Sequence, residues 1–177
     1  MALKPTIYKI DLNLADMDRH VYETLRLTVA QHPSETLQRM MVRVLVYALN
    51  YDAELSFTKG LSSQDEPDLW HCTADGRIAQ WIELGQATPE RMRKAISRAE
   101  QVLLYAYGSE TDIWWQKNRQ SLGSLPKLSV KRFDWLQVEQ LDRFVSRTMA
   151  LSISISDGEL YLSGDADPLS LTLESLQ

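Results

Sequence analysis

The sequence predicts an α/β fold: a mixed β-sheet flanked by helices, with a β-hairpin at each end of the chain. Three observations carry this. Apolar and polar residues alternate in both terminal stretches, the period of two that half-buried strands show. Between Leu37 and Leu49 the apolar residues instead recur at helical spacing. Further on, a helix-start signal at Thr88-Pro89-Glu90 precedes the continuous apolar run Val102 to Tyr107. A helix lying between an earlier strand and a buried one marks a crossover unit.

With 177 residues, the chain predicts one domain over 1–177 with a sizeable core rather than two full domains. Its 44% hydrophobic and 24% charged shares are those of a soluble globular protein. The net charge of −5 argues against a general nucleic-acid binder, which shows a basic surplus, and leaves room for a local basic patch. A single cysteine, Cys72, excludes an internal disulfide and fits a reducing, cytoplasmic setting. In a strand, such a residue is more often a small apolar filler than a nucleophile. Acids interrupt the start of the chain where a secretion signal needs an apolar run. Nothing approaches the roughly 18 apolar residues of a membrane span.

In order, Thr6 to Leu14 and His20 to Ala30 alternate and predict an antiparallel hairpin turning at Asp16-Met17-Asp18. His32-Pro33-Ser34 predicts a helix start with Ser34 as cap. The helix runs from about Glu35 to Asn50 and is apolar at Leu37, Met40, Met41, Val44, Leu45, Ala48 and Leu49, a core helix. A short extended piece follows Glu54, broken by Gly60 and the polar run Ser62 to Glu66. Asp68 to Thr73 and Ile78 to Leu84 predict two strands joined by a hairpin turn at Asp75-Gly76.

Thr88 caps, and Pro89 opens, a helix to about Gln101. The buried strand 102–107 comes next, then a helix over Thr111 to Arg119 and a loop to Pro126. Leu128 to Phe133 predicts a strand, and Asp134 to Val145 a helix capped by Asp134. Ala150 to Ser156, Asp157-Gly158 and Glu159 to Ser163 form the closing hairpin. From Asp165 the chain is a packed edge or a loose tail. No repeat or low-complexity linker divides it.

Chemistry concentrates between Glu54 and Lys94. Pro67 stiffens the approach to Asp68, which opens a strand, and Glu83 lies near the end of the next. The two need not be directly opposite, but offset strands bring them to one sheet end. Carboxylates held close repel unless a proton or cation sits between them, and a hard divalent ion with oxygen ligands is the natural solution. Solvated hairpin acids are the plainer alternative. Glu54 can supply a third oxygen, and Gln86 either a water or substrate contact or a loop hydrogen bond.

On the helix from Pro89, residues Arg91, Lys94 and Arg98 share one face, opposite Met92, Ala95, Ile96 and Ala99. Lys94 sits at the boundary, its stem packed and its ammonium reaching out. A cation there can stabilise phosphorane-like charge or orient water. For Arg91 and Arg98 a solvated basic face is the better reading. The three histidines lack a nucleophile elbow, and no phosphate-binding loop or zinc spacing occurs. Trp114-Trp115 with Lys117 and Arg119 can stack on nucleic acid or simply pack.

At Glu54, Pro67-Asp68, Glu83-Leu84-Gly85-Gln86 and Lys94 the chain resembles the YaeQ family of bacterial proteins. The strings ALNYDAELSFTKGLSSQDEPDLW, WIELGQ and ERMRKA, with the strand Val102 to Tyr107, carry the resemblance, which covers essentially the whole chain. That family is similar to the PD-(D/E)xK nuclease superfamily, which implies a restriction-endonuclease-like core. The superfamily pattern places Pro-Asp on one strand and acid-x-Lys on the next. Pro67-Asp68 and Glu83 match, whereas Gly85 stands at the lysine position, and the resemblance implies Lys94 as its replacement from the following helix. Glu54 corresponds to the extra upstream acid.

Three expectations follow. The first is a phosphodiesterase acting on nucleic acid, with Mg²⁺ or Mn²⁺ on Asp68, Glu83 and Glu54, Gln86 positioning water and Lys94 stabilising charge. The second is a nuclease-fold protein that binds nucleic acid or a transcription or repair partner without cleaving. The third is a protein-interaction module built on Trp114-Trp115.

Overall fold

In the computed structural model, residues 3–177 are described, apart from the side chain of Ser62. The expectations that touch Met1 and Ala2, the absence of a secretion signal and a domain starting at residue 1, lie in that respect outside the described residues. The chain divides into two compact units, one running to Leu49 and resuming over Leu136–Thr172, the other comprising Asn50–Trp135 and Leu173–Gln177. Each holds its own mixed sheet, so the single sheet expected from sequence is replaced by two.

The first unit is built on the two hairpins. Strand β1 (Thr6–Asp16) pairs antiparallel with β2 (Val21–Gln31) as the alternation requires. Its other edge takes β8 (Thr148–Ser156) in parallel, and β8 continues through an Asp157-Gly158 turn into β9 (Glu159–Ser163). Sequence alternation therefore placed both hairpins, while their union in one sheet is a tertiary event. Tyr8, Ile10, Leu12 and Leu14 from β1 and Met149, Leu151, Ile153 and Ile155 from β8 make the buried face. The chain from Asp165 is a packed edge at Leu169–Leu171, which pairs as β10 with β9.

Helix α1 (Leu37–Leu49) is buried at every position from Met40 to Ala48. It starts later than the sequence suggested. Thr36 Oγ1, not Ser34, accepts the Arg39 N–H (3.1 Å) and caps it, while the Ser34 hydroxyl bonds the His32 ring (2.7 Å).

The second unit is a six-stranded sheet in the order β11-β7-β6-β5-β4-β3. These strands are β3 (Leu55–Phe57), β4 (Leu69–Cys72), β5 (Ile78–Leu84), β6 (Ala99–Ala106), β7 (Leu128–Phe133) and β11 (Leu173–Ser175). β5, β6 and β7 are parallel, joined by helix α2 (Pro89–Arg98), as the crossover reading expected, and by α3 (Thr111–Gly123), which makes a second crossover. Helix α2 ends three residues early because Ala99 is already extended at φ −121 and begins β6. Helix α3 instead runs on through Gly123. The expected helix over 134–145 breaks into a short α4 (Trp135–Val138) and a 3-10 turn (Glu139–Phe144).

The face of β5 and β6 that carries Trp81, Val102 and Leu104 is covered by Met92 and Ala95 of α2 and by Trp114 and Leu122 of α3. Trp114 is therefore a core residue, with its indole N–H donated to Ala87 O (2.9 Å). Trp115 packs beside that core and stays half-buried, so of the pair only Trp115 keeps exposed surface. No helix among the described residues is long and apolar enough to cross a membrane.

Candidate functional site

Register places the two acids. In the β4–β5 ladder Leu69 faces Ile82 and Trp70 faces Trp81, so one position further out Asp68 comes opposite Glu83. The offset left open by the sequence does not occur. Cross-strand partners project to the same side of a sheet, the side that Trp81 presents to α2. Both carboxylates are buried, at 5% and 7% exposure. The Asp68 N–H donates to Ile82 O (3.0 Å), and Asp68 Oδ2 accepts the Leu84 N–H (2.9 Å), which ties this acid to the strand that bears Glu83.

The cation that reaches Glu83 is Arg91. Thr88 Oγ1 accepts the Arg91 N–H (3.2 Å) and fixes the first turn of α2, so this side chain turns back towards the end of β5. Its Nε and Nη2 donate to Glu83 Oε1 (3.0 and 2.8 Å), and its guanidinium lies 5.6 Å from the centre of the Trp81 ring. The Trp81 indole N–H donates to the same oxygen (3.0 Å). Oε1 thus receives three N–H groups, while among the described residues no hydrogen bond reaches Oε2. Burial pushes the Glu83 carboxyl above its ordinary range, and the Asp68 charge pushes the same way, against the lowering pull of Arg91 and Trp81.

The remaining expected site residues lie elsewhere in this unit. The Lys94 ammonium donates to Asp65 Oδ1 (2.8 Å) instead of joining Glu83. Arg91, which the sequence left on a solvated basic face, stands in the place beside Glu83 expected of Lys94. The Thr88-Pro89 helix start puts residue 91 in the first turn, nearer the strand end than residue 94, but the packing of α2 makes the choice. Gln86 holds a loop, donating to Tyr107 O (3.2 Å) and Thr111 Oγ1 (3.4 Å), in line with the plainer reading of that residue. Glu54 is exposed, and its main-chain N–H bonds the Asp52 carboxylate (2.8 Å). Among the described residues no three His, Cys, Asp or Glu side chains assemble a metal-binding group, so Glu54 does not join the two buried acids. Gly85 has φ +96, a conformation that strains any residue with a Cβ, which is a local reason for glycine at this position.

Two carboxylates on one sheet face are a donor set that Mg²⁺ accepts, since that ion commonly takes one or two protein carboxylates and fills its other positions with water and phosphate oxygens. The observation relevant to fit is Glu83 itself: a buried carboxyl beside a second acid, held through Oε1 alone, although no buried side-chain oxygen among the described residues is left without a partner.

Comparison with known proteins agrees across the whole chain. The YaeQ protein family matches residues 1–173. The chain is 43% identical to the YaeQ protein of Salmonella typhi and 42% identical to that of Escherichia coli K12, covering 100% of this chain and 98% of each relative. Both relatives are named only as uncharacterised. Among solved structures, the crystal structure of the YaeQ protein from Xanthomonas axonopodis pv. citri is similar with a TM-score of 0.94 and 39% identity, over 98% of both chains. That from Pseudomonas syringae gives 0.93 and 37%, over 98% of this chain and 96% of the other. With matches that span the length of the sequence and the course of the backbone, the chain belongs to the YaeQ family.

Proposed function

We propose that Asp68, Glu83 and Arg91 form the centre of a metal-dependent phosphodiesterase acting on nucleic acid, within a restriction-endonuclease-like arrangement. The observation that carries this reading is the cross-strand placement of two buried carboxylates with a guanidinium at their edge. Asp68 and Glu83 would hold Mg²⁺ or Mn²⁺. When bound, the ion supplies Lewis acidity at a phosphoryl oxygen and a more acidic water. The chain's own residues do the rest. The Leu84 N–H orients Asp68. The Trp81 indole and Arg91 orient Glu83, and Arg91 offers positive charge to a phosphate oxygen beside it. Glu54, Gln86 and Lys94 lie outside that centre.

One observation favours a second reading, a binding protein that does not cleave. Arg91 already neutralises Glu83 and spends its other donors on main-chain carbonyls, an arrangement complete without an ion. Hydrolysis of labelled DNA and RNA in Mg²⁺ or Mn²⁺ separates the two. The phosphodiesterase reading expects cleavage by the wild type and a loss of about a hundredfold or more in Asp68→Asn and Glu83→Gln. No cleavage by the wild type, together with no Mn²⁺ heat in calorimetry, leaves the second reading standing.

A further inference from the structure

The loop that leads into Asp68 is held by the cation that holds Glu83. β3 and β4 pair at Phe57 and Leu69, and the chain between them leaves and returns through one neck. There the Thr58 N–H donates to Asp68 O (3.3 Å) and the Thr58 hydroxyl to Pro67 O. At the far side of the loop Arg91 donates through Nη1 to Gln64 O and through Nη2 to Glu66 O (2.8 Å). Lys94 takes Asp65 Oδ1, and Arg98 donates to Asp65 O (3.3 Å). Three cations on one row of α2 therefore close on three consecutive residues.

What the loop offers them is three carbonyls and one carboxylate, that of Asp65. Its side chain is 75% exposed, so its pairing with Lys94 is readily exchanged for another anion. The row from Arg91 to Arg98 spans about 10 Å of helix axis, longer than one phosphate group, and so suits a chain of phosphates. Arg91 cannot donate fully to such a chain while its Nη atoms serve the loop.

We propose that residues 64–66 are an internal competitor for a phosphate-binding row on α2, with Asp65 standing where a phosphate of a bound nucleic-acid strand is received. The inference rests on the nucleic-acid reading above and adds its regulation: strand binding and loop release are one exchange, and release frees Arg91 next to Glu83.

The test measures binding in EDTA, apart from hydrolysis, with a short labelled single-stranded DNA and with inorganic phosphate as the comparison ligand. Asp65→Asn is expected to bind the DNA about threefold more tightly than wild type. Neutralising an acid off the row, Asp75→Asn, gives no such gain, and adding Lys94→Ala and Arg98→Ala to Asp65→Asn abolishes it. Amide hydrogen exchange over 59–66 rises in Asp65→Asn without any ligand, and in wild type when the DNA is added but not when phosphate is. Equal or weaker DNA binding by Asp65→Asn, a gain matched by Asp75→Asn, or loop exchange indifferent to the DNA overturns the proposal. Cleavage with Mn²⁺ is scored separately. A chain that behaves as stated yet cleaves nothing sinks the phosphodiesterase reading alone, and a chain that cleaves while ignoring Asp65 sinks the competitor alone.

Discussion

Each unit buries a glutamate against arginine, and the two clasps differ in how the carboxylate is used. In the first unit Glu35 is 6% exposed and both of its oxygens are engaged: Oε1 by Arg43 Nη2 (2.6 Å), Oε2 by Arg43 Nε (2.9 Å) and Arg39 Nη1 (2.8 Å). Arg43 also donates to Ala30 O (2.8 Å), which ties the end of β2 to α1. In the second unit Glu83 is equally buried but receives three donors on one oxygen, with Asp68 beside it. The Glu35 clasp is a closed fork of the bidentate kind that fixes structure. The Glu83 clasp concentrates donors on one side and keeps a second acid at close quarters, a repulsion that a purely structural pair has no reason to keep. This contrast, more than burial or the presence of arginine, marks Glu83 as the functional candidate.

The comparison breaks or sharpens under substitution. The largest effect is expected at the closed fork: Arg43→Ala leaves a buried carboxylate with Arg39 alone and costs about 3 kcal/mol in denaturant unfolding. A loss below about 1 kcal/mol would show that the fork is not closed in solution. Arg91→Ala comes next, at about 1.5–3 kcal/mol for hydrogen bonds to a charged group, together with loss of DNA binding. If its stability cost equals that of Arg43→Ala while DNA binding is untouched, the two clasps are alike and the distinction fails. Lys94→Ala is expected to leave stability unresolved from wild type, since its partner is exposed.

The pH dependence tests the Glu83 clasp without removing its partner. Because the folded protein holds the Glu83 proton above the ordinary 4.5, it binds that proton more tightly than the unfolded chain does. The contribution to stability is therefore full below the ordinary glutamate value and is lost as pH rises through the raised one. Relative to Glu83→Gln, wild type should lose stability over that interval and then level off, as read from unfolding curves across pH. A flat difference would mean that Arg91 already cancels the burial penalty.

Much of the fold was written locally. Alternation at Thr6–Leu14 and at Ala150–Ser156 identifies strands because the pleat forces it, and Thr88-Pro89 marks the start of α2 because a cap oxygen and a fixed φ suit a first turn. The acids of the site were also legible as residue types at strand ends. Their partner was not. Arg91 and Lys94 share a helix face, and only the packing of α2 over Trp81 decides which of them reaches Glu83 and which meets Asp65. The cap of α1 shows the same limit on a smaller scale, since Ser34 and Thr36 are both chemically able and the backbone chose one.

The sequence by itself determined the periodicities, the turns and the candidate carboxylates, all of which depend on neighbours along the chain. The tertiary structure decided that two hairpins far apart in sequence share a sheet, that Asp68 falls opposite Glu83, and that Glu54 and Lys94 stand outside their cluster. The reason is physical: backbone preference acts over a few residues, whereas which charge meets which is set by strand register and by the helix that covers the sheet.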